Sequence, residues 1–373
     1  YDFWATVNRL FVDNFMRPLY DWCDEHGLEL TGHLMDARWP SPSDHSDNML
    51  CMRWMHAPGN DLLGFQFEAS RPEDNGIYLL TLKELQSLGN QMGRRWRLVE
   101  TCGADGYDTA FETFKPLEDY VLATGVKIID PHLGHESLAG IRKYDWPQTL
   151  TSHSPWWPYY HHQANHVARV NAAMCQGTET NRVLVLHPTT SAWLHWVPED
   201  LDRDGAADAE IARLKKSHTD FLLALEMAQV DYELADEFVM EEFGGVHDGR
   251  FVIGQCTYDL VVVPPDMENM RAQTLDLLGE YLDGGGPVLG IGHATHVDGR
   301  PSEAPAALAN AEGWQECDTV AGLVAEVRKL VPPQITAPDG GSLPGGLMWR
   351  RVEVDDGVLW FLCNPWKEPI ETE

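Results

Sequence analysis

The sequence predicts an α/β chain in two successive units, and three observations carry that reading. Between Leu28 and His132, short apolar runs alternate with helix-period segments, the mark of parallel βαβ units. The ends of these runs hold the unusual chemistry: His33 and Asp36, then Glu100, then Asp130 with His132. Past "QGTETN", Gln176 to Asn181, a fresh set of β-branched runs and helices begins. The expected architecture is part of a (β/α)8, TIM-type barrel over residues 1–178, followed over 179–373 by a doubly wound, flavodoxin- or amidotransferase-like α/β domain.

The opening "ATVNRLFVDNFMRPLYDWCDEHG" places Val7, Leu10, Phe11, Phe15, Leu19 and Trp22 at three- and four-residue spacing and stops at Gly27, which predicts a helix. "LELTGHL" follows as a short buried strand and runs into the polar loop "MDARWPSPSDHSD". "DLLGFQF", Asp61 to Phe67, reads as the next strand, "TLKELQSLGNQMG" as a helix stopped by Gly93, and "RLVE" as a third strand ending at Glu100. "FETFKPLEDYVLATG" is a helix closed by Gly125, and "VKIIDPH" a fourth strand. Four strands are half of a barrel, whose full length is roughly 250 residues. The preceding strands are therefore expected upstream of Tyr1, where the chain opens inside a helical pattern without initiator methionine or signal peptide. Its start does not give the compartment, for which a periplasmic or secreted location is the expectation.

In the second unit, "RVLVLHP", "YDLVVVPP" and "PVLGIG" read as buried strands, with helices in "FLLALEMAQVDYELAD" and "AQTLDLLGEYLDGGG". Such runs suit an open doubly wound sheet. "MWRRVEVDDGVLWFLCNP" is expected to be a hairpin turning at Asp355, Asp356 and Gly357.

Composition excludes several functions. Against 27 basic residues stand 58 acidic ones, a net charge of −31 that repels phosphate backbones and anionic lipid. Nucleic acid and membrane are therefore not expected partners, and no apolar run nears the ~18 residues of a membrane span. The acidity reads as a solvated surface or as adaptation to a salty habitat. Seven scattered cysteines without a CxxC pair fit neither a zinc knuckle nor a disulfide framework.

Glu100 is the first candidate catalytic residue. In a barrel of this type the active site is built at the C-terminal strand ends, so a carboxylate there faces the cavity and can act as acid, base or nucleophile. Its alternative is to cap the following helix or to pair with an arginine such as Arg94. His33 and Asp36 directly follow the strand before, so both can point inward, or Asp36 simply opens the loop. Asp105 and Asp108 read as turn-formers, with Tyr107 between them able to reach over the site. "TSHSPWWPYYHHQANH" offers Trp156, Trp157, Tyr159 and Tyr160, flat faces with polar rims that match the C–H faces of a sugar, or else an aromatic loop packed over the rim. His161, His162 and His166 lack a coordinating carboxylate and make a weak metal pattern. After "PVLGI", Gly290-Ile291-Gly292-His293 holds no cysteine at the bend where an amidotransferase nucleophile would sit. A structural or oligomerisation role is expected for this half.

The blocks "WCDEHGLELTGHLMDARW", "RWMHAPGNDLL", "GRRWRLVETCGADGYDTAFETFKPLEDYVLATGVKIIDPH" and "HVARVNAAMCQGTETNRVLVLHPTTSAW", in that order from Trp22 to Trp193, resemble the glycoside hydrolases of the α-L-rhamnosidase type grouped as family 106. The resemblance implies a (β/α)8 catalytic barrel with further domains, inverting cleavage of terminal rhamnose from plant or algal glycans by two carboxylates, and calcium near the site. Glu100 then corresponds to the family's glutamate at the strand end, and Gly32 and His33 to its Gly-His pair. Asp36 stands where the family usually has glutamate, one methylene shorter. On this reading Glu100 and Asp36 are the catalytic candidates, with His33, Tyr107, His132, Trp156, Trp157 and His161 around the substrate. Two alternatives stay open: a retaining β-galactosidase-like enzyme with its carboxylates ~5 to 5.5 Å apart, and a sugar-binding protein without turnover.

Overall fold

The structure is a computed structural model that describes residues 1–34, 39–42, 47–62, 76–141, 150–198, 202, 205–343 and 346–366. Its first region opens with helices α1 (Asp2–Phe11) and α2 (Arg17–Glu25), joined without a break by a π-helical turn at Val12–Met16. Gly27 ends the run at φ +66°, a left-handed position that glycine occupies at no steric cost. The stripe of apolar residues does not face the core. Phe3, Leu10, Phe15, Leu19 and Trp22 point outward, whereas Trp4, Asn8, Val12 and Met16 are buried. Asn8 earns its place because its Oδ1 accepts from the Asp47 amide at 2.6 Å, and the π turn offsets the two helical faces.

After the extended run to Leu34 come α3 (Asn48–Met52), β1 (Gly59–Asp61), α4 (Gly76–Gln91), β2 (Leu98–Thr101), α5 (Phe111–Ala123) and β3 (Ile128–Pro131). The three strands form one parallel sheet in the order β1-β2-β3, with Asp61, Glu100 and Asp130 in register. Parallel bridges Thr31 to Ala57 and Leu34 to Asn60 set the preceding run alongside β1. Among the described residues this is an arc of parallel strands. Of the strand expected at Asp61–Phe67, Asp61 is the last residue of β1, the Leu62 amide donates to the Glu100 carbonyl at 2.9 Å, and Leu63 to Phe67 lie outside the described residues.

Helix α6 (Tyr160–Met174) packs on α5, and the chain then crosses to a second sheet through Glu179–Arg182. There β4 (Val183–Leu186), α7 (Thr189–Ala192), α8 (Ala206–Met227), β5 (Tyr232–Ala235) and α9 (Glu237–Phe243) are followed by an antiparallel ribbon of β6 (Gly244–His247), β7 (Arg250–Ile253) and β8 (Cys256–Tyr258). β9 (Leu260–Val263), β10 (Asn269–Met270), α10 (Ala272–Asp283) and β11 (Val288–Gly290) come next. β12 (His296–Val297) and β13 (Arg300–Pro301) make a small patch with β10, and α11 (Ala304–Leu308), β14 (Trp314–Glu316) and α12 (Val320–Leu330) complete the unit. The sheet order β14-β11-β9-β4-β5 is parallel throughout, the doubly wound arrangement. Its strands β4, β5 and β9 are buried along their whole length, which explains the unbroken apolar runs. The final hairpin, β15 (Met348–Val354) and β16 (Gly357–Cys363), turns through Asp355 and Asp356. Paired amide bonds between Thr178 and Glu353, at 3.0 and 2.9 Å, tie it back to the crossing.

Helix α4 joins the two sheets. Nearly every described side chain of α4 is buried, although Lys83, Glu84, Gln86, Ser87, Asn90 and Gln91 read as a solvent face. Most of these polar groups have partners, as burial requires, although Gln91 Oε1 and the Thr81 hydroxyl of the same helix have none. Towards the first sheet, Asn60 donates to the Thr81 carbonyl at 2.8 Å. Towards the second, Ser87 accepts from the Leu234 amide, and Gln91 donates to the Leu234 carbonyl, both at 2.8 Å. Leu79, Leu80, Leu82, Leu85 and Leu88 fill the continuous core that spans both sheets.

Candidate active site

The register of β1, β2 and β3 brings three acidic residues to one end of the parallel sheet, on one face, because strand side chains alternate. Glu100 is the centre. His33 Nε2 lies 2.6 Å from Glu100 Oε2 and His132 Nε2 lies 3.5 Å from Oε1. His33 Nδ1 sits 3.0 Å from the Leu34 carbonyl, which can only accept, so Nδ1 carries a proton. Its Nε2 faces the carboxylate, so imidazole and carboxylate are held together as one hydrogen-bonded pair at the strand end.

Among the described residues, Glu100 neither pairs with Arg94 nor caps the following helix. Arg94 donates to the Tyr20 hydroxyl and the Arg53 carbonyl at 3.3 and 2.8 Å, and the N-cap of α5 is Ala110 with no side-chain bond. The backbone beyond Glu100 is held in an uncommon form: Cys102 and Ala104 both have positive φ, 63° and 59°. Such positions in non-glycine residues cluster at functional sites.

One carboxyl joins the site that the sequence placed elsewhere. Asp61 ends β1, and ligand atoms of His33, Asp61 and Glu100 lie within 4.8 Å of one another. Its signal was the pairing register, hidden because the apolar run after it looked like the strand. Asp105, in the turn after β2, has its carboxyl pushed up to about 6 by burial, against a hydrogen bond from Cys102. It keeps its proton at mildly acidic pH, as a general acid must.

The remaining candidates lie in the loops after β2 and β3 and around the start of α6. Tyr107 faces His135 across the loops after β2 and β3, ring centres 6.4 Å apart. Trp156 is spent on packing: it meets Phe114 edge-on at 5.2 Å and donates from Nε1 to the Thr109 carbonyl at 2.9 Å. Trp157, 39% exposed, stacks on Tyr160 at 5.6 Å, and Tyr159 is 61% exposed. These two form the open aromatic shelf, anchored to the loop after Glu100 through Trp156. His161 closes its own turn through the Pro158 carbonyl at 3.0 Å, and His166 pairs with Asp119 at 2.6 Å. Among the described residues, no hydrogen bond, ion pair or ring contact joins Trp157 or His161 to the Glu100 cluster. Asp36 lies outside the described residues.

Calcium takes six to eight oxygen ligands, whereas His33, Asp61 and Glu100 offer two carboxylates and an imidazole that already engages one of them. Among the described residues this cluster offers fewer oxygen ligands than calcium takes.

No family model matches the sequence, and no curated protein does. Among solved structures, a rhamnosidase from Novosphingobium sp. PP1Y aligns over 98% of this chain with a TM-score of 0.67 and 15% identity. An exo-carrageenase GH42 from Bacteroides ovatus aligns over 95% with a TM-score of 0.61 and 11% identity, and a beta-galactosidase from Rahnella sp. R3 over 76% with 0.52 and 11%. The chain spans 34%, 49% and 40% of those three proteins respectively. At such identities the likeness is one of fold: this chain has an α/β fold shared with large glycosidases.

Proposed function

We propose that the chain is part of a glycoside hydrolase that removes terminal α-L-rhamnose, or a related deoxy sugar, by inversion. The observation that carries this reading is Glu100 at the end of β2, held at 2.6 Å by His33 with His132 on its other oxygen. Glu100 acts as the base that takes a proton from water. An inverting pair stands ~6.5 to 9.5 Å apart so that this water fits between its members. Asp61 and Glu100, with ligand atoms within 4.8 Å, are too close for that. Asp61 therefore orients Glu100 and His33, and the acid is Asp36, with Asp105 the second candidate. The exposed aromatic faces favour a sugar with an apolar methyl corner. The fold shared with the rhamnosidase along almost the whole chain supports the same reading.

The test is hydrolysis of aryl α-L-rhamnoside beside aryl β-D-galactoside, with the product anomer followed by NMR. Rhamnose released as the inverted anomer supports the proposal. Galactose released with retention points to the β-galactosidase-like alternative, and binding without turnover of either points to a sugar-binding protein.

A further inference from the structure

The opposite end of the same sheet holds a second cavity, of about 310 Å³, within the range of small-molecule sites. Its walls carry Arg94, Arg95, Arg97 and Lys127 against one carboxylate, Glu179. Arg97 and Lys127 stand side by side, because the amides of Lys127 and Ile128 both bond to the Arg97 carbonyl at 3.0 Å. They directly precede β2 and β3, the strands whose other ends carry Glu100 and Asp130.

Glu179 has nothing left for the remaining cations. Its Oε1 accepts from Arg97 at 2.9 Å and from Arg350 at 2.7 Å, and its Oε2 from Gln86 and Asn90 at 3.1 and 3.3 Å. A neighbouring carboxyl, Glu233, is raised by burial towards its neutral form and is held by Tyr258, Asn90 and Asn181. Arg95 lies over the Trp96 ring at 4.6 Å, and among the described residues neither Arg95 nor Lys127 pairs with a carboxylate. Arg97 is 2% exposed and its Nε, like Arg94 Nε, is buried without a hydrogen-bond partner. Burial, and then the neighbouring Arg97, push the Lys127 ammonium below its ordinary range.

Arg97 is buried, Arg94 and Lys127 are half-buried and Arg95 is exposed at the mouth, so four cations converge on a cavity with one carboxylate in a chain of 27 basic and 58 acidic residues, and such a cluster of like charge favours an anion. The larger cavity beside α1, about 620 Å³, contrasts with it: there Arg53 and Arg271 are matched by Glu242 and Glu241. We propose that the cavity bounded by Arg94, Arg95, Arg97 and Lys127 binds a small anion no larger than one sugar, bearing a carboxylate, phosphate or sulfate. Asn181 and the Gln255–Thr257 turn from the second unit form the far wall, so the ligand bridges both sheets. A ligand that binds only the folded form raises its stability.

The experiment is thermal unfolding of this chain titrated with sodium phosphate, sodium sulfate or sodium glucuronate. Sodium chloride at matched ionic strength and neutral glucose are the controls. A saturable Tm rise of a few degrees with at least one anion, abolished in Arg95→Gln/Lys127→Gln, is expected. A response to all three anions marks a bare oxyanion site, and a response to glucuronate alone marks a sugar acid. Without ligand the double variant should melt at or above the parent, because it removes like-charge repulsion. The proposal fails if chloride reproduces the shift, if the shift survives in the variant, or if the variant alone melts far below the parent.

Discussion

Replacing Glu100 by glutamine keeps the size and one hydrogen bond of the side chain but removes its ability to take up a proton. Glu100→Gln should lower kcat by about 10²- to 10⁴-fold and leave rhamnose affinity within about tenfold; steady-state kinetics beside equilibrium binding checks this, and full activity in the variant would remove Glu100 from the mechanism. At this scale the sequence was legible where a residue's position follows from its place at a strand end. Glu100, His33 and His132 meet as that logic requires. Asp61 was not legible, since local hydrophobicity placed the strand after it and only pairing with β2 shows that the strand ends there. Trp156 and Trp157 are adjacent and chemically alike, yet one packs against Phe114 while the other stays open. Nothing in two neighbouring tryptophans tells which will be buried.

Elements were easier to read than their surroundings. The core of α4, β2, α5 and β3 follows the apolar periodicity and glycine stops within a few residues. What the periodicity could not supply was which faces are covered. The polar side of α4 looks like a solvent face and is buried against β5, whereas the apolar stripe of α1 and α2 is exposed. Both depend on partners distant in sequence. Leu85, fully buried in α4, therefore tests the packing: Leu85→Ala should cost about 2–5 kcal/mol in chemical denaturation. Gly59 tests the strand. A Cβ there would meet the Gly32 carbonyl oxygen at 2.5 Å and that of Leu98 at 3.0 Å, both backbone. Gly59→Ala is expected to destabilise by about 1–3 kcal/mol, and an unchanged denaturation midpoint would show that β1 shifts freely.

Over the whole molecule, burial leaves several acids proton-loving. Glu118, Asp231 and Glu237 are each raised to about 7 by burial, above the roughly 4 of an unfolded carboxyl. Between those values the folded chain binds protons that the unfolded chain releases, so stability falls as pH rises from about 4 to about 7. Glu179 acts in the other direction. Although burial opposes its charge, Arg350 and Arg97 hold its carboxyl well below the usual range, so its contribution is lost only as pH falls below about 4. Acidification also relieves the repulsion within a chain of net charge −31. Calorimetry should therefore give a higher Tm near pH 5 than near pH 8; a Tm that climbs steadily to pH 8 would contradict the buried-acid account. The charge imbalance was plain in the sequence, but which carboxyls hide from water was not, because that is fixed by contacts such as Gln163 on Glu118 and Thr190 on Glu237. The position of α4 has a practical consequence for dissection. A cut near residue 178 would leave α4 with the upstream piece, its Ser87, Asn90 and Gln91 stripped of the partners at Glu233 and Leu234. The downstream piece would expose the bare edge of its sheet, so truncations made there should yield sticky, poorly soluble halves.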